Sequence, residues 1–276
     1  MNSRRVEVGE LALDVLEAGA GGRPLLLVHG FTGAKEDLAE WLSRLAGRGW
    51  HAVAPDLRGH GSSDHPTGRE SYGFEVFVGD LLALAGALGW ERFAVVGYSM
   101  GGAVAQFLAL DHPERVSALV LVATFHGPVP GVDAGLVELG SAVVRQAGMP
   151  GLAQALAARR AQNPDGLARY ERAEAARPGH GERRERGVLD TSPDLWLEMA
   201  PRFVDQPDRL DRLATLDVPT AVVVGDLDRA MLEDCRRIAA AVPGARLTVV
   251  AGAGHSLPVE RPEDFWTALS GFLDDL

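Results

Sequence analysis

The sequence predicts an α/β fold on three observations. Short runs rich in valine and leucine recur along the chain, segments of helical period separate them, and each run is continuously apolar instead of alternating. Strands of that kind are buried on both faces, as in a parallel sheet covered by helices. The order of elements bears this out. A hairpin comes first, Val6 to Val8 and Leu11 to Leu16 around Gly9-Glu10, and reads as an antiparallel edge. The strand runs follow as Leu25 to Val28, His51 to Ala54, Phe93 to Gly97, Ala118 to Val122, Thr220 to Val224 and Leu247 to Val250. Helical spacing occupies Glu36 to Ala46, Phe74 to Leu88, Met100 to Leu110, Leu232 to Ala241 and Glu263 to Leu273. The alternation is βαβα.

One stretch breaks that rhythm. From Gly127 to Asp208 there is no strand-like run, while Leu136 to Val144, Leu152 to Ala161, Leu167 to Ala176 and Leu195 to Val204 carry helical patterns. It is too long for a loop and reads as a helical insertion that could serve as a lid. The Arg-rich segment Glu182 to Arg186 within it reads as a solvated turn in preference to an anion clamp.

Composition bounds the function. Hydrophobic residues make up 46% and charged residues 24%, close to the averages of soluble globular chains. The net charge of −11 disfavours nucleic acid and anionic membrane surfaces as partners. Cys235 is the one cysteine, which excludes an internal disulfide and a cysteine metal cluster. Arg4 and Arg5 are followed by Glu7, Glu10 and Asp14, where a signal peptide needs an apolar stretch. A cytoplasmic protein acting on a small molecule is the expectation, with its oligomeric state left open.

The chemistry begins at Gly97-Tyr98-Ser99-Met100-Gly101, which has the form G-x-S-x-G. The pattern alone is weak. Its place between a strand and a helix is that of a nucleophile elbow, where glycines give clearance to a strained turn and the serine hydroxyl stands at a helix N-terminus. A serine hydroxyl needs a base to take its proton. His255, on the glycine loop after the last strand, is the candidate. An acid must orient the imidazole, and Gly225-Asp226-Leu227-Asp228 offers two. Asp228 is preferred because it lies farther into the loop, leaving Asp226 as a turn or cap residue. Two backbone donors for an oxyanion fall at Met100, directly after the nucleophile, and at Phe31 in His29-Gly30-Phe31-Thr32. Phe31, Met100, Phe125 and Leu257 neighbour these loops, and Trp196, Met199 and Phe203 are read as one face of a lid helix. The substrate pocket is therefore expected to be apolar, though the lid aromatics could equally pack the lid onto the core.

Together with Asp56-Leu57-Arg58-Gly59-His60-Gly61-Ser62-Ser63, these segments resemble the α/β-hydrolase superfamily in order and kind, and in particular its lidded serine esterases and C–C hydrolases. The resemblance spans the whole chain. It implies a mostly parallel eight-stranded sheet flanked by helices, with a core of residues 1–126 and 209–276. A helical cap, 127–208, would be inserted after strand six. It also implies catalysis by Ser99, Asp228 and His255 with no cofactor and no metal, and structural roles for Asp56, Arg58 and His60. A serine at 99 argues against the dehalogenases and epoxide hydrolases that use an aspartate. Menaquinone-pathway synthases share the elbow, but an arginine is expected after the paired glycines and Ala103 stands there. A small or medium carboxylic ester or lactone is the expected substrate. A C–C hydrolase, an acyltransferase and a non-catalytic ligand receptor on the same scaffold stay open as alternatives.

Overall fold

In the computed structural model, which describes residues 1–276 apart from the side chain of Ala176, eight strands form a single sheet. They are β1 (Asn2–Val8), β2 (Leu11–Ala18), β3 (Arg23–Val28), β4 (Trp50–Pro55), β5 (Phe93–Tyr98), β6 (Val116–Val122), β7 (Thr220–Gly225) and β8 (Arg246–Val250). Their spatial order is β1-β2-β4-β3-β5-β6-β7-β8. The β1–β2 hairpin is antiparallel, β2 runs antiparallel to β4, and the remaining pairs are parallel. Each predicted strand is present, extended by a few residues at its ends.

The central strands are buried on both sides, as their unbroken apolar runs require. Leu26 and Val28 of β3 belong to one core and Leu25 and Leu27 to the other, because successive side chains leave opposite faces of the sheet. The helices between strands are α1 (Ala39–Ala46), α2 (Phe74–Ala87) and α3 (Met100–Asp111). Between β6 and β7 lie α4 (Ala134–Ala161), α5 (Pro164–Ala176), α6 (His180–Leu189), α7 (Pro193–Arg202) and the single turn α8 (Leu210–Leu213). The chain closes with α9 (Leu232–Ala241), α10 (Leu257–Glu260) and α11 (Pro262–Asp274). α2, α3 and α9 contribute to the first core, α1 and α11 to the second. Strand β8 departs from expectation: Leu247 and Val249 are each 39% exposed, since nothing pairs with this edge and helices cover it incompletely.

The segment between β6 and β7 is helical, as its pattern predicts, with two differences. The runs at 136–144 and 152–161 join end to end as α4, broken at Gly148 (φ 64°) two residues before Pro150. Glu182 to Arg186, expected as a turn, lies inside α6. No glycine or proline interrupts it, and Glu182 pairs with Arg186 one helical turn on at 3.6 Å. These helices have a small core of their own around Val144, Met149, Leu152 and Val188. They also touch the sheet's loops: Ser192 N–H donates to the Gly59 carbonyl (2.7 Å), and Asp194 accepts from Gly68 N–H (3.0 Å).

A buried polar knot fixes the loop after β4. The Asp56 carboxylate, fully buried, accepts from the Lys35 ammonium (2.6 Å), from Lys35 N–H (2.8 Å) and from Ser62 N–H (2.9 Å). Arg58 grips Asp80 with two hydrogen bonds of 2.5 Å. His60 is buried beside His29, ring centroids 4.8 Å apart, and burial followed by the neighbouring imidazole drives its pKa well below the ordinary value. These are the structural roles that the resemblance implies for Asp56, Arg58 and His60.

Two outcomes follow from this knot. Asp56→Ala strands a buried ammonium, a change that costs about 3–5 kcal/mol when no other partner remains; Asp14 and Glu36 still face Lys35, so a loss near about 3 kcal/mol is expected by urea denaturation. His60 refuses a proton that the unfolded chain accepts. Its contribution to stability is complete above the ordinary imidazole pKa of about 6.5 and is lost as the pH falls towards the depressed folded value. The urea midpoint should drop between pH 7 and pH 5, and drop less in His60→Gln. An equal drop in both proteins would contradict this account.

Candidate active site

The C-terminal ends of β3, β5, β7 and β8 point the same way because these strands are parallel, and their loops meet at one edge of the sheet. Strand β5 delivers Ser99 there. The turn into α3 is sharp enough that Ser99 sits at φ 52°, ψ −115°, a conformation that costs about 1–3 kcal/mol for a residue with a side chain. Neighbouring bonds hold it: Ser99 N–H donates to the Val122 carbonyl (2.9 Å), and the Thr124 hydroxyl donates to the Ser99 carbonyl (2.7 Å). The glycines are there for clearance. A Cβ at Gly101 would lie 2.5 Å from the His29 carbonyl and closer still to that of Val28, and one at Gly97 would collide with the backbone of Gly101.

Ser99, His255 and Asp228 come together from loops far apart in sequence. Ser99 Oγ lies 3.1 Å from His255 Nε2, and His255 Nδ1 lies 2.8 Å from Asp228 Oδ2. The carboxylate can only accept, so Nδ1 carries the hydrogen and Nε2 turns its lone pair to the serine hydroxyl. An alcohol so placed can hand over its proton as its oxygen attacks an electrophilic carbon. Asp228 is buried, whereas the His255 side chain is 41% exposed to the space above the sheet.

The glycine loop bearing His255 is pinned at several points. Asp226 Oδ1 accepts from Gly252 N–H (2.7 Å), so this residue ties two loops together where a local turn role was expected. Glu260 accepts from Gly254 N–H (2.9 Å). The Tyr98 hydroxyl donates to the His255 carbonyl (3.0 Å), linking the histidine to the residue before Ser99. Burial pushes the Tyr98 phenol up, which keeps it protonated and donating. Tyr98 and Glu260 were not picked out by sequence; the residue before Ser99 was a signal available but unread.

Met100 N–H stands at the first position of α3, a 12-residue helix, and Phe31 follows the tight turn at Gly30. His29, the residue before that turn, accepts at Nε2 from Leu57 N–H (3.0 Å) while Nδ1 bonds the Gly30 carbonyl (2.8 Å), and so braces the loop. Above Ser99 opens a cavity of about 630 Å³. Phe31, Phe125 and Trp196 line it as expected, joined by Phe203 and Ala200. Phe31 stacks on Trp196 (5.0 Å between centroids) and meets Phe203 edge-on (4.8 Å). Three expected lining residues do not reach it. The side chains of Met100 and Met199 are fully buried in the first core and that of Leu257 in the second.

Sequence reasoning also missed what holds the two ends of the inserted segment. Arg209 is buried and donates to Gln106 (3.2 Å), Gln206 (2.7 Å) and the Phe125 carbonyl (3.1 Å), while its N–H donates to the His126 carbonyl (2.9 Å). Burial draws its guanidinium down to about 10. Among the described residues no group of three or more His, Cys, Asp or Glu side chains is placed to hold a metal ion, and no helix is long and apolar enough to cross a membrane.

A family model described as the alpha/beta hydrolase fold matches residues 23–262. A Bacillus subtilis protein named for 2-succinyl-6-hydroxy-2,4-cyclohexadiene-1-carboxylate synthase is 29% identical, over 91% of this chain and 90% of its own. Epoxide hydrolase A of Mycobacterium tuberculosis is 27% identical, over 99% of this chain and 97% of its own. The structure of a thermophilic esterase from Thermogutta terrifontis superposes with a TM-score of 0.79 at 26% identity, covering 100% of this chain and 99% of that one. The activities named differ while the architecture is shared. The chain belongs to the α/β hydrolase family.

Proposed function

We propose that this protein is a serine hydrolase that cleaves small or medium carboxylic esters or lactones through an acyl-enzyme on Ser99. The observation that carries the reading is the continuous relay from Ser99 Oγ through His255 to Asp228, at 3.1 and 2.8 Å. In it, His255 takes the serine proton as Oγ adds to the ester carbonyl, and Asp228 stabilises the imidazolium that forms. The N–H groups of Phe31 and Met100 receive the oxyanion, the latter aided by the positive end of α3. His255 then returns the proton to the leaving oxygen as the C–O bond breaks. A water, deprotonated by the same imidazole, releases the acid and regenerates Ser99.

The apolar cavity over Ser99 supports an acyl group of limited size, and a serine where an epoxide-opening relative would need a carboxylate nucleophile supports acyl chemistry. Residues 127–208 act in this reading as a cap over the core formed by 1–126 and 209–276. Phe31 and Trp196 stack across that boundary, so the cap closes one wall of the acyl site.

Ser99→Ala should lower kcat/KM for a p-nitrophenyl ester by about ten-thousand-fold or more with the unfolding midpoint retained. Asp228→Asn should cost a similar about ten-thousand-fold, because the amide favours the wrong imidazole tautomer. Wild-type turnover by the Ser99→Ala protein would refute the reading, as would acylation of the wild type without steady release of product.

A further inference from the structure

The apolar cavity does not stand alone. A second, of about 600 Å³, adjoins it and shares Leu156, Arg159, Gln162 and His255 with it, but does not reach Ser99. Thr32 and Ser256 edge it on the core side. Its other walls come from α4, α5 and α6, which bring Arg159, Arg160, Arg169 and Arg184 around it against two carboxylates, Glu185 and Glu260. That surplus of cations stands in a chain whose net charge is −11. Two of the four guanidiniums are engaged: Arg169 lies 4.0 Å from Glu260 and Arg160 sits over the Tyr170 ring at 4.5 Å. Among the described residues Arg159 and Arg184 form no ion pair. Burial first, and then the nearby Arg184 charge, hold His180 below the ordinary imidazole value, so this wall residue adds no third free cation to be balanced.

The direction of the reaction assigns the two spaces. Resting on the serine-ester reading, the carbonyl carbon sits at Ser99 Oγ with its oxygen towards Phe31 N–H, which places the acyl group in the apolar cavity. The leaving oxygen has to meet His255 to receive its proton. Whatever lies beyond that oxygen therefore extends past His255 into the arginine-lined cavity. We propose that the substrate is an ester of an anionic alcohol or phenol, its leaving group bearing a carboxylate or similar anion held by Arg159 and Arg184. Two guanidiniums lining a cleft favour such a group by charge-assisted hydrogen bonds and by steering. In sequence only Arg184 belongs to a segment weighed as an anion clamp; the four arginines are spread over residues 159–184 on three helices, so spacing alone does not reveal the cluster.

The test compares 3-(butanoyloxy)benzoate with 3-(butanoyloxy)benzamide, which share an acyl group and leave as phenols of similar basicity. The wild type should favour the benzoate about tenfold in kcat/KM. The ratio should fall towards one in Arg159→Gln/Arg184→Gln, and also in the wild type at 0.5 M sodium chloride as screening shortens the reach of the charges. A ratio of one or less in the wild type, or a preference that survives both the double variant and the salt, overturns the proposal. Calorimetric titration of the Ser99→Ala protein with the same two esters separates this from the underlying reading. If neither ester is turned over but the benzoate binds more tightly and loses that advantage in the Arg159→Gln/Arg184→Gln background, the anion site stands and the esterase reading fails. Equal binding, or none, sinks the anion site.

Discussion

The first turn of α3 lies directly on the main chain at the end of β3, and there is no space between them for a side chain. Gly101 fills that gap against the carbonyls of Val28 and His29. The rest of the site depends on the contact. It draws the helix start close enough to force Ser99 to φ 52°, and that conformation lifts the hydroxyl clear of the sheet edge. It also puts the loop through Gly30 and Phe31 beside the helix N-terminus, so the two proposed oxyanion donors come from chain segments already in contact. The strain is local while its support is spread out: ten of the twelve residues of α3 are buried, and their packing offsets what the turn costs.

A second dependence runs through the histidine loop. Glycines at 252 and 254 let the chain turn there, but such a loop would hold an imidazole loosely by itself. Its position is over-determined by three acceptors and donors from elsewhere: Asp226, Glu260 and the hydroxyl of Tyr98. Tyr98 adjoins Ser99, so a side chain outside the Ser99–His255–Asp228 relay ties the histidine loop to the serine. Preorganisation of this kind lowers the cost of reaching the reactive geometry.

What the sequence revealed and what it hid have the same physical origin. Strand runs, the glycine elbow and the order of Ser99, Asp228 and His255 are local patterns, and local patterns can be read. Direction is harder. Along α7 and its C-cap Phe203, the residues Trp196, Met199 and Phe203 look like one face, yet the stripe that meets the cavity is Trp196, Ala200 and Phe203. Met199 lines up instead with Leu195, four residues before it, and both are fully buried. A rotation of about 100° per residue makes adjacent choices diverge completely, and only packing decides between them. Contacts such as Arg209 with Gln106, 103 positions apart, leave no trace in spacing. Lys35 with Asp56 is similar: a lone lysine in the sequence signals nothing about the carboxylate that it neutralises.

The same reasoning bears on how the inserted helices and the sheet act together. Phe31 carries a proposed oxyanion N–H on its backbone and the main aromatic contact to α7 on its side chain. Gly187 of α6 packs against the carbonyl of Thr32, the next residue, so closely that no side chain fits between them. Thr32 itself has φ 56°, a backbone state that favours glycine and is held here from both sides. A shift of α6 or α7 therefore cannot leave the loop after β3 unchanged. Meanwhile Arg209 bonds the carbonyls of Phe125 and His126 and the side chain of Gln106 on α3, which joins the two ends of the segment to each other and to the core. The insertion is thus tied down where it leaves the sheet and coupled, at its far side, to Phe31 and Thr32. On the proposed function, the position of the inserted helices and the geometry around the reacting carbonyl form one mechanical unit.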